Sequence, residues 1–356
     1  MRIRHCRALL GVLTSAVLLG GTISAAPAEA APTRPTRAAL NWLEGELEHG
    51  HFVSGGNDLY GPSLDYFFAL IKFDAKPDVR TKILDSIRVH RGDYIGTGGD
   101  TYAGPAGKLL TAVVAQGIDP DTWGNGNLLP RLQKLVHTDA GSEKGRVIDD
   151  SSFGDFSNTI GQAWDVRAFA AVGDPLVKVT TRFLLKQQCD AGYFRESEES
   201  SDHTCQTGRS EGKSQPSVDT TAWSVMALKA ARRAGVPKLG DDIRAALKWL
   251  RKHQNANGSF TGNGVPNANS TGLAAWVLAD AGSTDQARRA ARWIRKLQVT
   301  AANSDHTKLA HQLGAVAYNP KAFSDGKSDG IVDGDVRSQW ILATAQSAVA
   351  LDALRR

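Results

Sequence analysis

From Ala38 onward the chain alternates between two kinds of segment. The first is an amphipathic helix that closes on Gln, passes a Gly and reaches an aromatic two residues later. It is clearest where Trp249-Leu250 leads to Gln254, Gly258 and Phe260, and it recurs where Phe183-Leu184 leads to Gln188, Gly192 and Phe194. Ile83-Leu84 leads to Gly92 and Tyr94, with Arg88 in the Gln place. Leu132 leads to Gly141, but Glu143 stands for the aromatic. Trp293-Ile294 reaches Gln298 and then lacks the Gly, and Trp42-Leu43 reaches Gly50 and Phe52 one residue early. A Gly here supplies the positive φ that stops a helix. The aromatic shields the helix end, and the Gln bonds backbone groups left free at a neighbouring helix end.

The second segment follows each turn. Ser217-Val218-Asp219-Thr220-Thr221-Ala222-Trp223 opens the best copy, Asn267-Ala268-Asn269-Ser270-Thr271 a second and Ser157-Asn158-Thr159-Ile160-Gly161-Gln162 a third, with looser copies near Ser63, Thr101 and Gln339. Each starts with a capping residue and then turns Ala-rich and apolar nearly all round, as buried helices do. Six such pairs at a spacing of roughly 40–65 residues predict a helical repeat array. An open array needs polar caps at both ends. The last helix, Ile341–Leu351, is as Ala-rich as the inner ones, so the sixth pair is expected to pack on the first. The predicted fold is all-α, an α/α toroid (α6/α6 barrel), with the polar openings of its inner helices at the mouth of a cavity. The domain spans 38–356, after a flexible lead-in over 31–37.

The first thirty residues set the compartment. Arg2, Arg4 and Arg7 precede the uncharged apolar run Ala8–Gly20, and Ala28-Glu29-Ala30 follows, the layout of a secretory signal peptide over 1–30. The expected location is therefore secreted, extracellular. Of 42 Lys+Arg and 37 Asp+Glu, three Arg and Glu29 leave with that segment, so the remaining charge is +3. This mild, dispersed excess is no footprint of nucleic-acid binding. No later segment is apolar enough to span a bilayer. Cys6 also leaves, and the remaining pair, Cys189 and Cys205, reads as a disulfide in an oxidising space. It closes a polar loop through Glu196–Asp202.

The Gln…Gly-x-aromatic turns and the Asp219-Thr220-Thr221-Ala222-Trp223 helix start resemble the terpenoid cyclase and protein prenyltransferase toroids, and more closely the secreted actinobacterial prenyltransferase/squalene oxidase repeat proteins. Tyr102-Ala103-Gly104 and Gly161-Gln162-Ala163-Trp164 add to the likeness, which covers nearly all of 38–356. Fold does not fix function, so the chemistry is weighed residue by residue. The resemblance puts Asp219 on the protonating Asp of the Asp-x-Asp-Asp-Thr-Ala motif of class II terpene cyclases. Ser217 and Thr220 replace its carboxylate partners, so Asp219 is a catalytic candidate whose preferred role is helix N-cap. The Asp, Cys and His zinc set of prenyltransferase β-subunits has no counterpart, since His49 with His51 and His306 with His311 lack Cys or carboxylate support. The Cys-Gly-Glu-Gln thioester stretch is absent. Cobalamin carriers, whose helical domain is also a secreted toroid, bind their ligand without chemistry, under a β domain that this chain lacks.

These comparisons imply a binding protein without a cofactor, holding a bulky small molecule such as a corrinoid at the toroid mouth. Candidate contacts are Asp65, Tyr102, Asn158, Asp219 and Asn269. The chain is expected to be a monomer, with a lid or cell-surface protein as its partner. The alternative is an enzyme in the same cavity, either a reduced cyclase or a glycan lyase or hydrolase using paired carboxylates such as Asp65 with Asp219. Asp149, Asp150 and Asp155 read as a solvated loop. Asp325, Asp329 and Asp333 have part of the spacing of a calcium loop, but Lys327 and Val336 occupy ligand positions, so an acidic Gly-containing turn is expected there.

Overall fold

A computed structural model describes residues 31–355. The signal-peptide expectation lies outside them. Twelve helices build the ring, alternately outer and inner. The outer ones are α1 (Arg34–Gly45), α3 (Pro77–Val89), α5 (Leu128–Lys134), α7 (Val177–Lys186), α9 (Gly240–Lys252) and α11 (Thr284–Leu297). The inner ones are α2 (Tyr60–Lys72), α4 (Ala103–Ala115), α6 (Thr159–Val172), α8 (Val218–Arg233), α10 (Ala268–Asp280) and α12 (Asp335–Ser347). Each inner helix packs on the next, α2 on α4 and so round to α12, which packs back on α2. The chain is thus a closed α/α toroid. Two small antiparallel sheets, over Leu47–Asp58 and Phe260–Asn267, occupy corners of it.

The corners explain the repeated Gln and Gly. Gln188 Nε2 donates to its own Gly192 carbonyl (3.0 Å) and to Asp242 O in the first turn of α9 (3.0 Å). Gln254 likewise joins Gly258 to Gln286 of α11 (3.0 and 2.8 Å). Gln298 joins Gly314 to Pro35 of α1 (3.1 and 2.9 Å), which repeats the bond across the seam between the last unit and the first. The Gly of the sixth unit is therefore present, displaced by an insertion that holds the short helix Ala301–Ser304. Gly192, Gly258 and Gly314 all have positive φ, and a Cβ on any of them would strike a carbonyl of the following outer helix: Ala245, Arg289 or Ala38. These glycines permit a close approach of backbones and do not stop a helix.

The position two residues after the Gly has a second task. The backbone N–H of Phe52, Phe194, Phe260 and Val316 each donates at 2.9 Å to a hydroxyl of the next inner helix: Ser63, Thr221, Thr271 and Thr344. The third unit substitutes its parts. Its corner glycine is Gly145 rather than Gly141, and Val147 fills the aromatic place. Gln162 of α6 accepts from Val147 N–H (2.9 Å) and donates to Gly145 O and Thr180 O (2.9 and 3.0 Å).

Residues 34–37, read as part of a flexible lead-in, are the first turn of α1. Thr33 caps it, and the Thr33 N–H donates to Asp352 Oδ1 (2.9 Å). Cys189 and Cys205 are bonded, with Cα atoms 5.1 Å apart. Inside their loop the Arg195 guanidinium, fully buried, donates to Gln187, Ser200 and the carbonyls of Glu198 and Glu199. The loop is ordered by that arginine as well as by the covalent link.

Candidate functional site

The corner hydroxyls set the inner helices in register. Two residues beyond them stand Asp65, Trp223, Leu273 and Gln346, and Trp164 follows Gln162 by the same step. With Lys108 of α4 they make a level of six residues around the axis. Lys108 Nζ donates to Asp65 Oδ1 (2.5 Å) and to Gly61 O (2.9 Å). Gln346 Nε2 donates to Asp65 Oδ2 (3.0 Å), and Asn269 Nδ2 to Gln346 Oε1 (3.0 Å). Trp164 stacks on Phe68 (4.9 Å between centroids) and meets Trp223 (4.7 Å). Phe68 and Trp164 come from helices that are not neighbours in the ring, so this stack reaches through the interior past α4. The barrel is plugged by its own side chains. Asp65 and Asn269, expected to meet a ligand, are members of the plug, and Asp65 is already the partner of a buried cation.

Above the plug lie the N-terminal ends of the inner helices and the loops that lead into them. A cleft of about 600 Å³ is bordered by Glu196, Lys213, Gln215, Asp219, Thr261 and Asn263. Across Ile160, which belongs to both, a cleft of about 400 Å³ is lined by Tyr94, Tyr102, Lys108, Asp149, Asn158 and Trp164. A third, of about 600 Å³, lies against Arg146, Asp155, Phe156, Glu198 and His203. It shares Glu196 with the first and Phe156 with the second. The three form one crescent across part of the mouth. Phe156, which lines two of these clefts, is 61% exposed, and Phe153, three residues before it in the chain, 76%.

Asp219 borders the crescent but does not cap its helix. The cap of α8 is Ser217, whose Oγ accepts from Thr220 N–H (3.2 Å). Asp219 sits in the first turn, and its buried Oδ1 has no hydrogen-bond partner. The Ser270 hydroxyl of α10 approaches without closing a bond and is itself unpartnered. Burial pushes the Asp219 carboxyl above the usual carboxylate range. Ser270 offsets this in part, and the exposed Glu196 adds to it. A carboxyl held this way gives up its proton reluctantly while facing an open cleft.

The other candidates divide. Asn158 caps α6, accepting from Gly161 N–H (3.0 Å). Tyr102 lines the second cleft, and its hydroxyl meets Ser151 Oγ at 3.4 Å. The cap of α4 comes from Asp149, whose Oδ1 accepts from Ala103 N–H (2.7 Å), so this residue is no part of a free loop. Asp155 pairs with Arg146 (2.7 Å), which also holds Glu198 (2.9 Å) and Glu143 (3.0 Å). Burial raises Glu198 to about 7 against the pull of Arg146. Asp325 and Asp329 lie in the helix Pro320–Asp329, with Asp325 paired to Lys321 (2.6 Å), rather than in an acidic turn. Asp333 instead accepts from Ser54 Oγ (3.0 Å) and Gly55 N–H (2.9 Å). Among the described residues no group of three or more His, Cys, Asp or Glu is placed to hold a metal.

Lys108, Arg167 and Gln346 were not singled out in the sequence. Lys108 has a signal, a lone charge in a helix otherwise apolar nearly all round, which costs free energy unless a neighbour answers it. Arg167 and Gln346 share their helices with other polar residues, Gln162 and Asp165 in one and Asp335, Arg337 and Gln339 in the other.

No family model matches the chain, and no curated protein matches it. Solved structures do. A protein from Actinoplanes superposes with a TM-score of 0.60 at 16% identity, over 90% of this chain and 99% of its own. The type II terpene cyclase MstE from Scytonema gives 0.60 at 15% identity, over 89% and 96%. The GH76A α-1,6-mannanase of Salegentibacter gives 0.58 at 10% identity, over 90% and 98%. At these identities the likeness speaks for the fold, the α/α toroid of terpenoid cyclase-like proteins, which glycan hydrolases also use.

Proposed function

We propose that this toroid is a binding protein that holds a bulky, hydrogen-bonding small molecule across its mouth. The observation that carries the reading is the pairing of a plugged axis with an open, polar crescent bordered by Asp219, a carboxyl whose inner oxygen has no hydrogen-bond partner. An enclosed dry chamber of the kind that folds a polyprene has no support beneath that mouth. Buried polar atoms without partners are uncommon and call for an explanation. A ligand hydroxyl or amide that meets the Asp219 carboxyl from the cleft, and turns its buried Oδ1 onto the Ser270 hydroxyl behind it, supplies one. A corrinoid is one ligand of suitable bulk and amide content. The exposed Phe156 offers an apolar edge for its ring, or for a partner acting as lid. The disulfide fits an extracellular setting, and among the described residues no helix is long and apolar enough to cross a membrane.

One observation favours an enzyme as the second reading. Asp219, raised by burial, and Glu196, exposed, border the same cleft. Two carboxyl groups in unlike surroundings can divide the roles of acid and base in cleaving a glycosidic bond.

Calorimetric titration with cobalamin, α-1,6-mannotriose and a geranylgeranyl compound, followed by chromatography of each mixture, separates the readings. Saturable binding of a polar probe without turnover supports a binding protein. Turnover by the wild type that vanishes in Asp219→Asn replaces it with the enzyme. Uptake of the geranylgeranyl compound alone contradicts both.

A further inference from the structure

Below the plug lies a cation that, among the described residues, is answered by aromatic faces and by no direct ion pair or hydrogen bond. Arg167 of α6 stands one turn past Trp164. Its guanidinium carbon is 4.0 Å from the Trp164 ring centroid, 5.2 Å from Phe68 and 5.7 Å from Trp223. Among the described residues it makes no ion pair, and its buried Nη1 has no hydrogen-bond partner. Asp65 is the carboxylate whose field steadies it, and both Asp65 oxygens are already engaged, by Lys108 and Gln346. Aromatic faces can hold a guanidinium in place, but they offer nothing to its N–H groups, which match an oxyanion in fork geometry.

The surroundings favour the same kind of guest. At this level the next two inner helices carry Met226 and Trp276, both only half-buried, so the barrel is less tightly filled here than at the plug. The helix ends beyond it are basic. Lys72 ends α2, and Lys229, Arg232 and Arg233 end α8; the field of Arg233 reaches Arg167. Asp280 answers part of this charge, binding Lys72 (3.3 Å) and, through its carbonyl, Lys229 (3.1 Å). Burial pulls Arg167 down to about 9, which leaves it charged at neutral pH.

We infer that the lower half of the barrel, at the end opposite the mouth, is a binding site for an oxyanion, a carboxylate or a phosphate, received by Arg167 within the cage of Phe68, Trp164 and Trp223. The site shares no orphaned group with the crescent; Trp164 borders both, and substitution of Arg167, which lines none of the three clefts, tells them apart.

Trp164 and Trp223 report on it directly. The experiment titrates the full chain with inorganic phosphate and, separately, with benzoate, at constant ionic strength maintained with sodium chloride. It follows tryptophan emission and melting temperature. The expected result is a saturable emission change with a matching rise in melting temperature for at least one anion. Stronger binding of phosphate identifies a phosphoryl guest, and stronger binding of benzoate a carboxylate. Arg167→Gln should weaken the response at least tenfold, and Arg167→Lys, which keeps the charge without the fork, should retain a weakened one. If the Gln variant fails to fold, the Lys variant is decisive: weakened binding supports the site and unchanged binding overturns it. No saturable response in the wild type, or an equal response in a folded Arg167→Gln, also overturns it.

Discussion

Replacing Gln298 with Leu should open the ring at its seam. The side chain is buried, and its amide donates to Pro35 O and Gly314 O, tying the sixth corner to the first outer helix. A Leu of similar volume leaves both carbonyls without that donor. At about 1–3 kcal/mol for each buried polar group left unsatisfied, with some relief from water, the loss should be about 2–4 kcal/mol. Gly314→Ala attacks the same seam differently. The left-handed backbone costs an L-residue about 1–2 kcal/mol, and the added Cβ also meets the Ala38 carbonyl, a backbone atom that cannot swing aside. Gly282→Ala is the control, with φ +78° and nothing within 4 Å of the new Cβ, so it should show the backbone cost alone. Urea unfolding followed by far-UV circular dichroism measures all three. Gln254→Leu, at an internal corner with the same two bonds, should match Gln298→Leu if the seam is an ordinary joint of the ring. A Gln298→Leu variant within about 0.5 kcal/mol of wild type, the range of an unremarkable surface change, would refute the closure argument.

Further outcomes follow from the same contacts. Asp165, fully buried on α6 with neither carboxylate oxygen hydrogen-bonded, is raised well above the ordinary 3.8, by burial first and then by Asp149 and Glu198. The native state then keeps a proton that the unfolded chain releases. Its contribution is greatest below the unfolded value and declines as pH rises, by at most about 1.4 kcal/mol per unit, until the native carboxyl ionises. Asp165→Asn should therefore gain on wild type steadily from pH 4 upward in urea melts, and a pH-independent gap would count against it. Replacing Cys189 and Cys205 with Ser should cost about 3 kcal/mol, the usual figure for a loop of this length, and intact-mass analysis of unreduced wild type after alkylation should find no modified thiol in the mature chain. Ser217→Ala should cost about 0.5–2 kcal/mol as a lost helix cap, whereas Asp219→Asn should leave thermal stability nearly unchanged. The reverse order would restore Asp219 as the cap.

Much of the ring is legible in the chain because its corners are local. Gln188 to Phe194 and Gln254 to Phe260 keep one spacing, since the Gln must reach both its own Gly carbonyl and the next helix. Where parts are exchanged the spacing fails: Gln162 does the work of a corner Gln from the inner helix, and Gly314 is separated from Gln298 by an insertion. The plug is harder to read. Asp65, Lys108 and Gln346 lie on three helices far apart in sequence, and only closure of the ring makes them neighbours. Asp219 shows the limit of reading a cap from residue type, because Ser217 two positions earlier takes the bond and leaves the carboxyl free for the cleft.

The central claim is that the mouth, and not the barrel interior, receives a bulky polar ligand. Native mass spectrometry of the intact chain with cobalamin and with α-1,6-mannotriose tests it most directly, comparing wild type with Asp219→Leu and Phe156→Ala. The account predicts a one-to-one complex with one of these probes in the wild type, weakened at least tenfold in Asp219→Leu and measurably in Phe156→Ala. Binding of neither probe, or binding that both substitutions leave intact, would contradict it.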